Sequence, residues 1–409
     1  MKTHLSFWRR FARAMRKSVS LAPMTAHRDH RPLLLILALA LLGLPAIPGY
    51  AQEPEPRIEL YTVGPGDYLF SKFGHAALCV DDPGEGVGRC YNYGTTDFST
   101  PGPLAWAVLR RRAEFWVSVA PIDQMLAFYR AEDRTVYRQV LPLEPEQAAQ
   151  MGRALATSAL PENRRYRYDH FLDNCSTRPR DHIDAATGGA LQSDPDGSPH
   201  RFFTYRTLNR ETLANDPVYF LLGEAFLGRP MERERSEFEA MFLPHILRGA
   251  VTTHLHVTPE VVYVRRAAPS GPALIVRYRV ALALGISLVG AFIIMMAPRR
   301  VSSGGRRLYA LGFGALGSAL WALAILSPVP ELRFNEVLLV FLPTDFLLLL
   351  GSERVTRYYS GIRVAELLLL CVLRLLGVLI QPLVIFLSLA LPVLTGTWAR
   401  ALAARTLPR

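Results

Sequence analysis

Two short stretches carry residue types that can do thiol chemistry. The first is Asp173-Asn174-Cys175-Ser176-Thr177-Arg178. A cysteine between Asn and Ser is not in the setting of an apolar core. Asp, Asn, Ser and Thr side chains accept hydrogen bonds from the free N–H groups at a helix N-terminus, so the composition predicts a helix starting close to Cys175. Pro179 fits such a start, because first-turn N–H groups have no intrahelical partner. A thiol in that position is expected to have a lowered pKa, since the helix dipole and the free N–H groups favour the thiolate. The same N–H groups can stabilise an oxyanion. A structural or disulfide-bonded cysteine is the competing reading.

The second stretch runs from Gly66 to Leu78 and contains His75, which opens a β-type run directly after Gly74. A thiol nucleophile needs an imidazole base, and that base needs a third group to orient it. A lone histidine is more often a core residue satisfied by backbone; only its pairing with Cys175 lifts His75 above that reading. Strand alternation puts His75, Ala77 and Cys79 on one face. In the next strand-like run, Cys90 and Asn92 share a face. Pairing Cys79 with Cys90 across a hairpin places Asn92 opposite Ala77 and diagonal to His75. Asn92 is then the candidate third member of a Cys-His-Asn set, with Tyr91, Tyr93 and Asp97 as competitors. Cys79 and Cys90 read as a cross-strand disulfide or as two packed free thiols, the disulfide being favoured. Cys371 lies in a hydrophobic segment and reads as inert packing.

No metal site is expected. His245, His254 and His256 cluster in the chain, but without Cys or carboxylate at ligand spacing. No cofactor is implied. Asp345 and Arg374 lie inside apolar segments, where a charge is costly and usually faces a partner, so a structural Asp345–Arg374 pair is expected.

These residues must be held by elements that the hydrophobic pattern predicts. Leu60–Val63, His75–Val80 and Arg89–Tyr93 read as strands, with a Gly-, Asp- and Pro-rich turn over residues 81–88. Leu104–Leu109, Asp123–Arg130 and Pro145–Leu160 read as helices, and Thr135–Leu141 as a strand. Residues 1–51 combine a basic start with an apolar run from Leu33 to Ile47 and small residues before Gln52, the pattern of a secretory signal or N-terminal anchor. Residues 52–268 have the composition of a soluble, exported domain. Residues 273–397 are far more apolar and read as a bundle of four or five membrane spans. Formal net charge is +11. Many arginines sit beside the apolar segments, at 299–307 and 354–363, as positive-inside topology requires. No basic stripe with interleaved aromatics appears, so nucleic acid is not an expected partner.

Four motifs in order carry a family resemblance: Ser71-Lys72-Phe73-Gly74-His75, Tyr91-Asn92-Tyr93-Gly94-Thr95, Pro161 to Tyr168, and Asp173 to Arg178. Over residues 57–185 the chain resembles the exported domain of the Lnb family of lipoprotein N-acyltransferases. More distantly, the order Gly66-Asp67, His75, Asn174-Cys175 resembles the permuted papain-like acyltransferases of the lecithin:retinol type. The resemblance implies an α+β fold, with a permuted papain-like cysteine domain followed by an α-helical transmembrane bundle. It implies Cys175 as nucleophile and His75 as base. It also implies an inner-membrane, multi-pass protein whose catalytic domain is periplasmic. The partners implied are a phospholipid acyl donor, a lipoprotein acceptor and the surrounding membrane lipids. An envelope cysteine hydrolase, either a lipase or a peptidoglycan peptidase, would use the same Cys-His pair. A non-enzymatic scaffold or sensor is the third alternative.

Overall fold

In a computed structural model of the chain, the described residues are 56–406, apart from 83, 85, 193–199 and 269–270. The signal or anchor segment expected over residues 1–51 lies outside them.

Seven antiparallel strands form the sheet that carries the site: β1 (Arg57–Val63), β2 (His75–Asp81), β3 (Arg89–Thr95), β4 (Glu114–Pro121), β5 (Val136–Val140), β6 (Arg165–Arg167) and β9 (Glu260–Tyr263). Their order across the sheet is β6-β4-β3-β2-β1-β5-β9. Strands β7 (His200–Thr204) and β8 (Glu234–Arg235) form a separate ribbon. The central hairpin pairs Leu78 with Tyr91, Cys79 with Cys90 and Val80 with Arg89. That register puts Cys79, Cys90 and Asn92 on one face.

Helices cover both faces of the sheet. They are α1 (Pro101–Leu109), α2 (Ile122–Ala131), α3 (Pro145–Ser158), α4 (Thr177–Ala186) and α7 (Pro244–Leu255), while α5 (Tyr205–Leu213) and α6 (Pro217–Phe226) pack in clusters of their own away from it. Ala76, Leu78, Tyr91 and Tyr93 pack on one side with Met151 and Leu155 of α3, Ile183 of α4 and Leu247 and Val251 of α7. Tyr61, Ala77, Cys79 and Cys90 pack on the other side with Met125, Leu126 and Tyr129 of α2. Strands buried on both faces need this apolar content on both sets of alternating positions, and β1 and β2 have it.

The apolar region contains α8 (Arg279–Met296), α9 (Arg299–Leu326), α10 (Glu353–Leu375) and α11 (Val384–Thr406). Among the described residues, three helices are long and apolar enough to cross a membrane: Arg279–Met296, Arg299–Leu326 and Val384–Ala404. The arginine-rich segment before Leu308 forms the first turns of α9. Val337 to Leu350 lies in two 3-10 turns, Glu336–Leu339 and Pro343–Leu350, separated where Pro343 lacks an N–H to continue. The run from Leu367 to Leu394 divides between α10 and α11, with Gly377 in the left-handed region at φ +73°. Helix α6, assigned by composition to the exported domain, lends Ala225 to the bundle's core.

Asp345 does not pair with Arg374. Its Oδ1 accepts from Arg363 Nε at 3.0 Å and from the Tyr359 hydroxyl at 2.7 Å. Arg374 lies eleven residues further along α10, about 16 Å at the helical rise, and is out of reach. Asp345 and Arg363 are 0% and 1% exposed. A buried charge that loses its partner typically costs about 3–5 kcal/mol. Arg363→Met therefore lowers the thermal midpoint of the detergent-solubilised protein markedly. Adding Asp345→Leu recovers most of the loss. A single variant as stable as wild type would rule out a role for this pair in holding the bundle.

Candidate functional site

Cys175 sits immediately before helix α4, whose N-cap is Ser176. Asn174 builds this turn. Its Oδ1 accepts from Ser176 N at 2.7 Å and Thr177 N at 2.9 Å. Its Nδ2 donates to the carbonyls of His170 at 2.7 Å and Phe242 at 3.0 Å. Ser176 Oγ donates to Met241 O at 2.7 Å. Pro179 is the third helical residue, where a missing N–H costs no intrahelical bond. Upstream, Asp169 and Asp173 exchange backbone hydrogen bonds at 3.1 and 3.0 Å. Asp173 grips Arg178 through Nε at 2.5 Å and Nη2 at 2.9 Å. The Arg178 guanidinium lies over the Tyr166 ring at 3.8 Å.

The turn is pressed against the end of strand β3. Gly94 has φ +88°, and a Cβ there would come within 3.1 Å of Cys175 Cβ. Only glycine fits such a position without strain. The Ala76 amide, one residue beyond His75, is among the groups that pull the Cys175 pKa down. The sulfur therefore lies against the start of strand β2.

His75 is held by Asn92. The distance from His75 Nε2 to Asn92 Oδ1 is 3.2 Å. Asn92 Nδ2 donates to Cys90 O at 3.3 Å, which fixes the amide so that its oxygen faces the ring. An oxygen accepts, so Nε2 carries the proton and Nδ1 is left with the lone pair of a base. Cys79 and Cys90 form a disulfide in the adjacent register position. Among the described residues, the free cysteines are Cys175 and Cys371. The Ala76 amide against the sulfur belongs to the residue that follows His75 in strand β2, so the turn before α4 and the start of β2 meet at this point. Of the competitors for the third position, Tyr93 bonds Ser158 and His182, each at 2.8 Å, and Asp97 accepts from Ser99 N at 2.9 Å.

Electrostatics overturn one expectation. The Cys175 thiol is not lowered but pushed up to about 11, chiefly by burial, against the pull of the Ala76 amide and Arg134. His75 is pushed down to about 4, again by burial first and by Arg134 second. Desolvation of the charged form outweighs the helix N-terminus here. The resting pair is thus neutral thiol and neutral imidazole.

Arg134 was not singled out in the sequence, where it is one arginine among many. It is 5% exposed. Its Nε donates to Gly64 O at 3.0 Å, and its guanidinium lies 5.1 Å from the Tyr129 ring centre. Tyr129 in turn lies 5.8 Å from the His75 ring. Arg134 Nη2 is buried without a hydrogen-bond partner. A buried cation with an idle donor, felt by both Cys175 and His75, favours negative charge at this point. Sequence gave no signal for it, because the contact crosses from the α2–β5 turn to strand ends far away in the chain.

Among the described residues, no three His, Cys, Asp or Glu side chains come together as a metal site. His254 bonds Glu237 at 2.9 Å instead. His245 lines a cavity of about 460 Å³ behind Gly74, together with Lys72 and Arg248. Cys175 and His75 are not among that cavity's lining residues.

Residues 51–211 match the family model of the Lnb N-terminal periplasmic domain. The match gives this part of the chain the character of an Lnb-type periplasmic domain. No curated protein and no solved structure matches the chain. The Lnb-type segment contains Cys175, His75, Asn92 and Arg134, strands β1 to β7 and most of α5. With the three apolar helices it describes a membrane protein that carries a periplasmic domain.

A raised thiol pKa has a direct kinetic signature. Alkylation of Cys175 by iodoacetamide in the folded protein rises about tenfold per pH unit between pH 7 and 10, because the thiolate fraction does so below the pKa. Arg134→Gln slows it further at each pH. A rate that levels off below pH 9 would contradict the burial argument.

Proposed function

We propose that this protein is a lipoprotein N-acyltransferase working through an acyl thioester on Cys175. The observation that carries the proposal is the junction of three parts at one sheet end: a half-buried thiol before helix α4, an imidazole fixed by Asn92 with Nδ1 free, and the unpartnered donor of Arg134. The Lnb-type segment and the apolar helices support the choice of substrates, since donor and acceptor are both lipids confined to a bilayer.

The chemistry follows from these groups. His75 Nδ1 takes the thiol proton as the sulfur attacks a phospholipid ester carbonyl. The C–S bond forms, and the carbonyl π electrons move onto oxygen, where Arg134 and nearby amides stabilise them. The ester C–O bond then breaks, and the leaving oxygen takes the proton from His75, releasing a lysophospholipid. The N-terminal amine of a lipoprotein attacks the thioester, which is more easily aminolysed than the original ester. The thiolate leaves and is reprotonated through His75. Neutral resting groups suit this cycle, because charge develops only when substrate is in place. A permuted papain-like relationship is consistent with the order of His75 on a strand and Cys175 before a helix.

Incubating the purified protein with phospholipid and a diacylated lipopeptide tests the reading. N-acylated lipopeptide is the expected product, lost with Cys175→Ala and reduced by about 10²–10⁴-fold with His75→Ala, the usual range for a general base. Free fatty acid without acylated lipopeptide would replace the transferase with a cysteine hydrolase. Unchanged transfer by Cys175→Ala would end the mechanism.

A further inference from the structure

Helix α1 lies between the sheet domain and the apolar bundle. Leu104 is buried in the domain core, anchoring one side of the helix. Trp106 is 47% exposed and Phe98, just before the helix, 49% exposed. At its C-terminal end, Leu109 O accepts from Ser327 Oγ at 2.5 Å. Ser327 is the C-cap of α9 and is buried. This contact fixes the height of α1. The apolar stretch of α9 from Leu308 to Leu326 is about 28 Å long at 1.5 Å per residue, close to the ~30 Å hydrocarbon thickness of a bilayer. Its arginine-rich end is at residues 299–307, so the end at Ser327 reaches the opposite interface, on the side of the sheet domain. Trp106 is within one turn of Leu109 and therefore sits at that interface.

We infer that α1, through Phe98 and Trp106, rests on the outer-facing lipid surface as part of the protein's membrane footprint. The chemistry of the patch fits lipid rather than a protein partner. Arg110 lies 5.6 Å from the Trp106 ring centre. A tryptophan beside an arginine matches the headgroup boundary, where the ring takes the apolar side and the guanidinium reaches the phosphates. The inference does not depend on acyl transfer. It does give the lipid surface a short mechanical route to the thiol. Arg111, two residues beyond Leu109, pairs with Asp169 at 3.0 Å, and Asp169 closes the turn that leads to Cys175.

Fluorescence of the full chain in vesicles tests this. The Trp106 contribution is obtained by subtracting the emission of Trp106→Phe, a substitution at a half-exposed position. It is expected to fall when the vesicles contain phospholipid brominated close to the ester, and to resist aqueous iodide. As a second readout, Phe98→Cys in a Cys175→Ala, Cys371→Ala background is labelled with an environment-sensitive NBD dye. The dye emission should shift to the blue on reconstitution into vesicles. Trp106 emission that iodide quenches and brominated lipid does not would overturn the inference. So would an NBD spectrum unchanged between detergent and bilayer.

Discussion

The close approach of Cys175 to Gly94 is the constraint on which the site depends. Any side chain at position 94 would collide with the cysteine's own Cβ, 3.1 Å from where a new Cβ would stand. Because that space is empty, the turn before α4 can be laid against the ends of β2 and β3. The sulfur then meets the Ala76 amide, one residue beyond the His75 that Asn92 holds. The cost of the arrangement is desolvation. Desolvation is the largest influence on both groups, raising the thiol pKa and lowering that of the imidazole, so both rest in their neutral forms.

Around this contact the chain uses rigid parts. The disulfide between Cys79 and Cys90 ties the hairpin one register position from Asn92, and the Cys90 carbonyl sets the orientation of the Asn92 amide. Asn174 satisfies two helix N–H groups and two distant carbonyls with one side chain. Each of these is a hydrogen bond inside a low-dielectric site, where an unmade bond is costly and a made one restricts movement. The imidazole is therefore held as a single tautomer. The Ala76 amide and Arg134 act on the sulfur as donors, and the side chains of Tyr129, Tyr166 and Tyr168 also lie within its electrostatic reach.

Much of the local geometry could be read from the chain. Alternation over His75–Val80 and Arg89–Tyr93 is enough to pair Cys79 with Cys90 and bring Asn92 towards His75. Asn174, Ser176 and Thr177 are enough to start a helix after Cys175. What escaped the reading is non-local. The direction of the thiol pKa depends on desolvation by the folded surroundings, and local composition says nothing of that. Arg134 reaches the site from another turn entirely. Asp345 could be seen to need a cation, but choosing Arg363 over Arg374 requires knowing which turn of α10 faces the Pro343–Leu350 segment. The limits of the apolar spans were obscured in the same way, because arginines at the start of α9 look like a loop until the helix is seen to continue through them.

The central claim is that a half-buried, neutral thiol becomes an acyl carrier. Intact-protein mass spectrometry of the full chain after incubation in phospholipid vesicles without any amine acceptor measures this directly. The account predicts a mass gain of one acyl chain on Cys175, removed by neutral hydroxylamine and absent in Cys175→Ser at that pH. An unmodified protein that still transfers acyl chains once acceptor is added would contradict it, as would an adduct on any residue other than Cys175.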